Sequence, residues 1–193
     1  MKTIAITGSI GMGKSTVAAM FKEAGLPLFD ADVAVRQMQG EGGRLVPQIE
    51  AAFPGSTKDG AVDREALSSM VLGDRDALAK LEALVHPAVH HERTRFILDH
   101  GDAKALVFEI PLLFETGGED NFDVVVVVSA SPEIQRERVL MREGMSEEKL
   151  ANILSRQTPD AVKRERADHV VDTSGSLDDT RAQVDRILAC LAL

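Results

Sequence analysis

The sequence predicts an α/β fold built on a doubly wound five-stranded parallel sheet. Five short runs rich in apolar and β-branched residues alternate with helical patterns along the chain. One run, "DVVVVVS" at 123–129, holds five consecutive valines without polar alternation. That pattern is typical of a strand buried on both faces of a helix-covered parallel sheet. A glycine-rich loop at 8–15 joins the first run directly to a helical pattern, as expected between a strand and its crossover helix.

The elements follow in order from the amino terminus. The first strand is predicted over 3–7 and ends at Gly8. The next helix carries its apolar stripe at i, i+3, i+4 and i+7, which are Val17, Met20, Phe21 and Ala24. Gly25 is its predicted stop. The remaining strands are predicted at "LPLFD" (26–30), "KALVFEI" (104–110), "DVVVVVS" (123–129) and "ADHVVDT" (167–173).

Two stretches exceed a minimal strand–helix alternation. The predicted core comprises 1–32, 104–131 and 167–193 of a single domain. An insertion of about 33–103 reads as wholly helical, with breaks at Gly42-Gly43, Pro54-Gly55 and Gly73, and suggests a substrate-binding subdomain. A basic helical region of about 132–166 is predicted to form a lid.

Composition excludes several classes of protein. The net charge of −9 disfavours non-specific nucleic-acid binding, and the absence of Trp and Tyr argues against a base-stacking platform. The single cysteine, Cys190, fits a reducing compartment, and no apolar run has the length of a membrane span or signal peptide. The C-terminal "CLAL" formally matches a prenylation box, but lacks a polybasic segment before it and reads as the end of a packed helix. A cytoplasmic protein, monomeric or weakly oligomeric, is expected.

The loop "GSIGMGKS" matches G-x-x-x-x-G-K-[ST], the P-loop, between a strand and a helix. Glycines let backbone N–H groups approach phosphate oxygens, and the helix adds its N-terminal dipole. Lys14 is placed to reach the β- and γ-phosphates, the Ser15 hydroxyl to bind Mg²⁺, and Thr16 to support the phosphates. The residues predicted to bind ATP here are Gly8, Gly11, Met12, Gly13, Lys14, Ser15 and Thr16.

A second loop, "FDADVAVRQ" at 29–37, follows the second strand and offers a base. Carboxyl ends of parallel strands share one rim, so Asp30 and Asp32 are expected on the side of the P-loop. Asp32 is the preferred proton acceptor, with Asp30 as a magnesium-side or orienting partner. Either aspartate is alternatively the N-cap of a helix starting near Val33. Arg36, one turn into that helix, is a candidate for binding an acceptor phosphate or a solvated side chain.

The order of several motifs resembles the dephospho-coenzyme A kinase family. They are "TGSIGMGKST", "DADVAVRQ", "HP" at 86–87, "PLLFE" at 111–115, "RQ" at 156–157 and "ADHVVDTSGS" at 167–176, and they span nearly the whole chain. The resemblance implies a P-loop kinase fold and transfer of the ATP γ-phosphate to the 3′-hydroxyl of dephospho-coenzyme A, with Mg²⁺, in the last step of coenzyme A biosynthesis.

The resemblance also implies roles for individual residues. Asp32 would be the general base and Arg142 a lid residue over the ATP phosphates, while His86 and the PLLFE residues Pro111 and Leu112 would lie near the acceptor. Two positions depart from the family pattern. Met12 replaces a more usual serine, and its side chain is expected to point away from the phosphates. Thr173 stands where asparagine is common, which puts an adenine contact by that side chain in doubt, although Gly175 remains.

For the other candidate site residues, side-chain chemistry alone allows more than one role. Arg138 joins Arg142 as a candidate phosphate-neutralising group, or both are solvated. Glu109 ends the third strand, where a carboxylate binds magnesium directly or through water, and Glu115 reads as a residue that holds a loop. Pro87 is expected to break its helix locally and put His86 out of register at a site, although a histidine in a helix junction fits equally.

Two other functions remain open from the residues alone. One is another P-loop kinase acting on a nucleoside monophosphate or a sugar-like hydroxyl. The other is a nucleotide-dependent switch, which is disfavoured because N-K-x-D and the expected D-x-x-G are absent.

Overall fold

The computed structural model describes all 193 residues, and the chain divides into two compact units. The first unit comprises 1–29 and 100–193, and the second comprises 30–99. A five-stranded sheet forms the centre of the first unit. Its strands are β1 (Lys2–Thr7), β2 (Leu28–Asp30), β5 (Ala105–Glu109), β6 (Val124–Ser129) and β7 (His169–Asp172), and they lie in the order β2-β5-β1-β6-β7.

The predicted parallel sheet is confirmed. β1 lies between β5 and β6 and runs parallel to both, and β6 runs parallel to β7. All residues of β5 and β6 are buried, which explains the uninterrupted valines: neither face meets water, so neither carries polar side chains. β1 begins one residue earlier than predicted, and each of the other four strands is shorter than its predicted run at one or both ends.

Helices cover the sheet of the first unit. They are α1 (Lys14–Glu23), α6 (Pro132–Leu140), α7 (Glu147–Leu154), α8 (Asp160–Glu165) and α9 (Leu177–Leu191), with a 3₁₀ turn at Glu119–Asn121. Three of the four stripe residues, Val17, Met20 and Phe21, pack in the core, whereas Ala24 is exposed at the C-cap. The helix ends just before Gly25, as predicted. The C-terminal apolar residues also pack on this core, so "CLAL" belongs to the end of α9 and the residues after it. No helix has the length and apolarity to cross a bilayer.

The second unit packs around its own apolar cluster. Its helices are α2 (Ala31–Gln39), α3 (Val46–Ala52), α4 (Arg64–Val71) and α5 (Arg75–Asp99). Met38, Leu45, Ile49, Phe53 and Leu67 form the buried centre. The helix breaks fall at the glycine positions that the sequence indicated.

Two expectations about this unit are wrong. It is not wholly helical, because β3 (Thr57–Lys58) and β4 (Ala61–Val62) form an antiparallel hairpin. Asp59 and Gly60 turn the hairpin with positive φ angles of 52° and 76°. Pro87 does not break its helix either, since α5 is continuous from 75 to 99. A proline removes one N–H and crowds one carbonyl, and the packing of α5 against α2, α3 and α4 outweighs that cost.

A buried ion pair lies in the first unit. Lys163 has a fully buried side chain, and its Nζ lies 2.8 Å from Glu115 Oε1. The same oxygen accepts a hydrogen bond from the Thr158 backbone N–H at 2.7 Å. Burial raises the pKa of Glu115, but the bonds from Lys163 and Thr158 outweigh it, so the pKa lies below its usual 4.5. Glu115 holds a loop, as the sequence suggested, and Lys163 belongs to the interior of the region expected to form a lid.

We expect Glu115→Gln to lower the free energy of unfolding by about 3 kcal/mol at pH 7, because it leaves a buried ammonium without its counter-charge. The lowered carboxyl pKa stabilises the fold above pH 4.5, and this contribution is lost as the pH falls from 4.5 through the folded-state pKa. The difference between wild type and variant should therefore shrink between pH 7 and pH 3.5. Urea unfolding at several pH values measures both effects.

The matched control is Glu147→Gln, which removes an exposed carboxylate paired with Arg136. An exposed pair contributes about 1 kcal/mol or less. Equal losses for the two variants would contradict the importance of the buried pair.

Candidate functional site

The P-loop connects the centre of the sheet to α1. It follows β1, and Gly13 is the N-cap of α1 with a left-handed φ of 88°. The backbone N–H groups of Gly11, Gly13 and Ser15 have no acceptor within the protein. Unpaired N–H groups at the start of a helix form a site for an anion, and the helix dipole adds to it. The loop therefore has the donors that a phosphate chain requires.

Close packing explains two of the loop glycines. A Cβ on Gly8 would lie 2.3 Å from the carbonyl oxygen of Val128. A Cβ on Gly11, whose φ is 78°, would lie 2.5 Å from Val139 Cγ2 and 3.0 Å from the Gln135 carbonyl oxygen. The loop is thus pressed against β6 and α6, and only glycine fits at these two points.

The side chains of Lys14 and Ser15 project from the first turn of α1. Lys14 Nζ donates to the carbonyl oxygens of Gly8 at 2.8 Å and Ser9 at 3.4 Å, so the lysine curls back over the loop. Ser15 Oγ donates to Glu109 Oε1 at 3.0 Å. Glu109 is the last residue of β5, paired in register with Ile6 of β1. The predicted hydroxyl and the predicted carboxylate are therefore brought together.

This pair of oxygens fits a magnesium ion. Mg²⁺ takes few ligands from protein and completes its shell with water and substrate phosphates. A hydroxyl and one nearby carboxylate at the mouth of a P-loop match that preference. The structure contains no cluster of three or more His, Cys, Asp or Glu side chains suited to holding a metal on their own.

Met12 lies with its side chain away from the loop's free N–H groups, as expected. It is buried in the core, and its sulfur lies 3.0 Å from the Ala130 backbone N–H, which donates to it. The backbone of Met12 makes a separate contact, since its carbonyl oxygen accepts a hydrogen bond from the Thr173 hydroxyl at 2.9 Å.

A cleft of about 380 Å³ lies beside the loop. Its lining includes Gly11, Gly13, Thr16, Arg138, Arg142 and Gly175. Five of these, all except Arg138, are residues that the sequence assigned to ATP binding, and they come from three separate parts of the chain. Gly175 precedes Ser176, whose side chain caps α9 together with Asp179.

The two arginines in this cleft differ in how they are held. Arg138 donates from Nη1 to the Thr173 hydroxyl at 2.8 Å and from Nη2 to the Thr173 carbonyl at 2.7 Å. Arg142 is exposed, and its side chain makes no hydrogen bond or ion pair within the protein. Arg138 is therefore fixed before any ligand arrives, whereas Arg142 is a free cation at the rim.

Four of the predicted site residues lie in the second unit: Asp30, Asp32, Arg36 and His86. Asp30 is the N-cap of α2, and its Oδ1 accepts from the Val33 N–H at 2.9 Å. The helix starts at Ala31 rather than near Val33, so Asp32 lies in its first turn with an exposed carboxylate. Arg36 is exposed in the last turn of α2. His86 is exposed on the unbroken α5.

The PLLFE segment follows β5 and splits into two faces. Leu113 and Phe114 are buried, whereas Leu112 is 47% exposed and Pro111 is half-buried. The inward residues anchor the segment, so the outward leucine is an apolar group available to a ligand.

The sequence reasoning missed three polar side chains that hold the loop. Gln157 Oε1 accepts from the Ile10 N–H at 3.1 Å, and Gln135 Nε2 donates to the Ile10 carbonyl at 2.7 Å. Thr173 is the third. The "RQ" pattern at 156–157 was visible, but nothing in the spacing indicates that Gln157 reaches a loop 147 residues earlier.

Comparison with known proteins identifies the family. The family model described as dephospho-CoA kinase matches residues 2–179. A dephospho-CoA kinase of Novosphingobium aromaticivorans is 54% identical over 186 residues, covering 96% of this chain and 92% of the relative. The chain belongs to the dephospho-CoA kinase family. It is therefore a member of a family of ATP-dependent kinases.

Solved structures agree with this assignment. A Thermus thermophilus protein, TT1252, has a TM-score of 0.82 at 36% identity, with 98% of this chain and 97% of that chain covered. A dephospho-CoA kinase from Campylobacter jejuni has a TM-score of 0.68 at 25% identity, with the same coverage of both chains. The P-loop kinase fold predicted from the sequence is confirmed.

We expect Gly11→Ala to abolish measurable MgATP binding, because the new methyl group collides with Val139 and the loop must move to accommodate it. Gly25→Ala is the matched control. Gly25 has a similar φ of 90°, but a Cβ there meets nothing within 4 Å. It should lose about 1 kcal/mol of stability from backbone strain and keep its MgATP affinity. Titration calorimetry distinguishes them, and equal affinities would contradict the packing argument.

Proposed function

We propose that this chain transfers the γ-phosphate of ATP to the 3′-hydroxyl of dephospho-coenzyme A, giving coenzyme A and ADP. The observation that carries the proposal is the cradle at the carboxyl end of β1, where P-loop glycines with free N–H groups and Arg142 line one cleft. Family membership supports the choice of acceptor, since the relatives that match over nearly the whole chain bear that name.

The roles within the cradle follow from charge and position. The loop N–H groups and Lys14 hold the phosphate chain, with Thr16 lining the same cleft. Ser15 and Glu109 would hold Mg²⁺, which would supply positive charge to the bound phosphates. Phosphoryl transfer depends mainly on positioning and on neutralising charge at the transferred group. Arg142, exposed and unpaired, is suited to close over the γ-phosphate and to exclude water.

The acceptor side is proposed from chain position. Asp32 lies two residues beyond the end of β2, and ligands of open parallel sheets bind beyond the carboxyl ends of the strands. Its exposed carboxylate would accept the proton of the 3′-hydroxyl as that oxygen bonds to phosphorus and the bond to the ADP oxygen breaks. Asp30 caps the helix that presents Asp32. Arg36, His86, Pro111 and Leu112 are proposed to contact the acceptor.

Purified protein with MgATP should release ADP at least a hundredfold faster with dephospho-coenzyme A than with ATP alone. A coupled assay measures ADP, with a nucleoside monophosphate and a sugar alcohol as parallel acceptors. ADP release with one of these acceptors and none with dephospho-coenzyme A would overturn the assignment in favour of another small-molecule kinase.

Asp32→Asn should lower kcat by about 10²–10⁴-fold, because an amide orients the hydroxyl but accepts no proton. The KM for MgATP should stay within about threefold of the wild-type value. Asp59→Asn is the control, since it makes the same change in charge at an exposed turn of the same unit. A wild-type kcat for Asp32→Asn would remove Asp32 as the base.

A further inference from the structure

The main chain of Ile10 is held by two glutamines, one bonded to its N–H and the other to its carbonyl oxygen. Gln157 Oε1 accepts from its N–H at 3.1 Å, and Gln135 Nε2 donates to its carbonyl oxygen at 2.7 Å. Gln135 is buried on α6, and Gln157 lies just after α7. Two elements distant in sequence therefore grip one residue of the P-loop.

Ile10 is the last loop residue before the N–H groups that remain free. Gly11 and Gly13 follow it and donate no hydrogen bond within the protein. A glycine-rich segment with few internal bonds, here one from the Met12 N–H to the Ser9 carbonyl, loses conformational entropy when a ligand orders it. Fixing Ile10 beforehand reduces that loss and keeps the free donors aimed at one place.

Gln157 is itself fixed through the next residue. The Thr158 backbone N–H donates to Glu115 Oε1 at 2.7 Å, and Lys163 Nζ lies 2.8 Å from that oxygen. The buried ion pair thus holds residues 157–158 in place. Glu115 also ends the PLLFE segment, so one carboxylate links that segment to the residues that grip the P-loop.

We propose that Gln157 is a positioning residue that keeps the P-loop in its nucleotide-binding conformation through the Ile10 N–H. It acts on the nucleotide through the loop backbone, and Gln135 completes the grip from the opposite edge. This inference rests on the ATP-binding part of the proposed function and is independent of the acceptor.

The test is direct binding of MgADP and MgATP by calorimetry in 0.2 M salt. Gln157→Met keeps the length of the side chain and removes the amide oxygen, so it should weaken binding about tenfold. Gln157→Glu keeps an acceptor oxygen for the Ile10 N–H, and the salt weakens the repulsion between the added charge and the phosphates. It should bind within about threefold of wild type. Gln48→Met, at an exposed position of the second unit, should leave binding within about twofold.

A double variant separates this role from a general loss of structure. Gln135→Met and Gln157→Met act on the main chain of the same residue, Ile10, so the second loss should cost less once the first has freed that residue. The double variant should therefore bind more tightly than the product of the two single effects predicts. Thermal melting of each ligand-free variant reports on folding separately.

Three results would overturn the proposal: binding by Gln157→Met within twofold of wild type, equal losses for the Met and Glu variants, or multiplicative single effects. The outcomes are distinguishable from failure of the proposed function. If the variants show the expected nucleotide affinities but the wild-type protein does not turn over dephospho-coenzyme A, the proposed acceptor is wrong and the role of Gln157 stands.

Discussion

The structure depends on a constraint on the P-loop: peptide groups reserved for an anion are unavailable to hold the loop together. The N–H groups of Gly11 and Gly13 have no acceptor in the protein, and the loop keeps few bonds of its own, such as that from the Met12 N–H to the Ser9 carbonyl at 3.3 Å. Part of its order therefore comes from outside. The Val128 carbonyl against Gly8 and the side chain of Val139 against Gly11 supply part of it by close packing. Hydrogen bonds from other elements supply the rest.

The basic region at 132–166 therefore has two parts with different roles, α6 with Arg138 and the residues after α6 with Arg142. α6 packs so closely on the loop that it forms part of the cradle, and its Arg138 is held by two bonds to Thr173. A helix in such contact cannot move far without disturbing the phosphate donors. Arg142 lies beyond the last residue of α6 and has no partner. A fixed arginine sets the charge of the cleft in advance, and a free one is suited to respond to the bound phosphates.

Local patterns account for what the sequence predicted. The strands, the P-loop and the ends of α1 depend on neighbours within a few residues, and Gly25 shows this at the end of α1. The failures depend on distant contacts. The hairpin at 57–62 has strands of two residues, too short for any periodicity, and α5 continues through Pro87 because three helices pack on it. Gln135 reaches across 125 residues to Ile10, and no local pattern encodes such a bond.

Thr173 shows how a departure from a family pattern is interpreted once packing is known. From the sequence, an adenine contact by the Thr173 side chain was in doubt. The side chain is 5% exposed, and its hydroxyl donates to the Met12 carbonyl while accepting from Arg138. A hydroxyl is both donor and acceptor at one atom, so a single oxygen joins the P-loop to the fixed arginine. The residue therefore contributes to the site by connecting two of its parts, and a base contact is not needed to explain why a polar side chain is buried there.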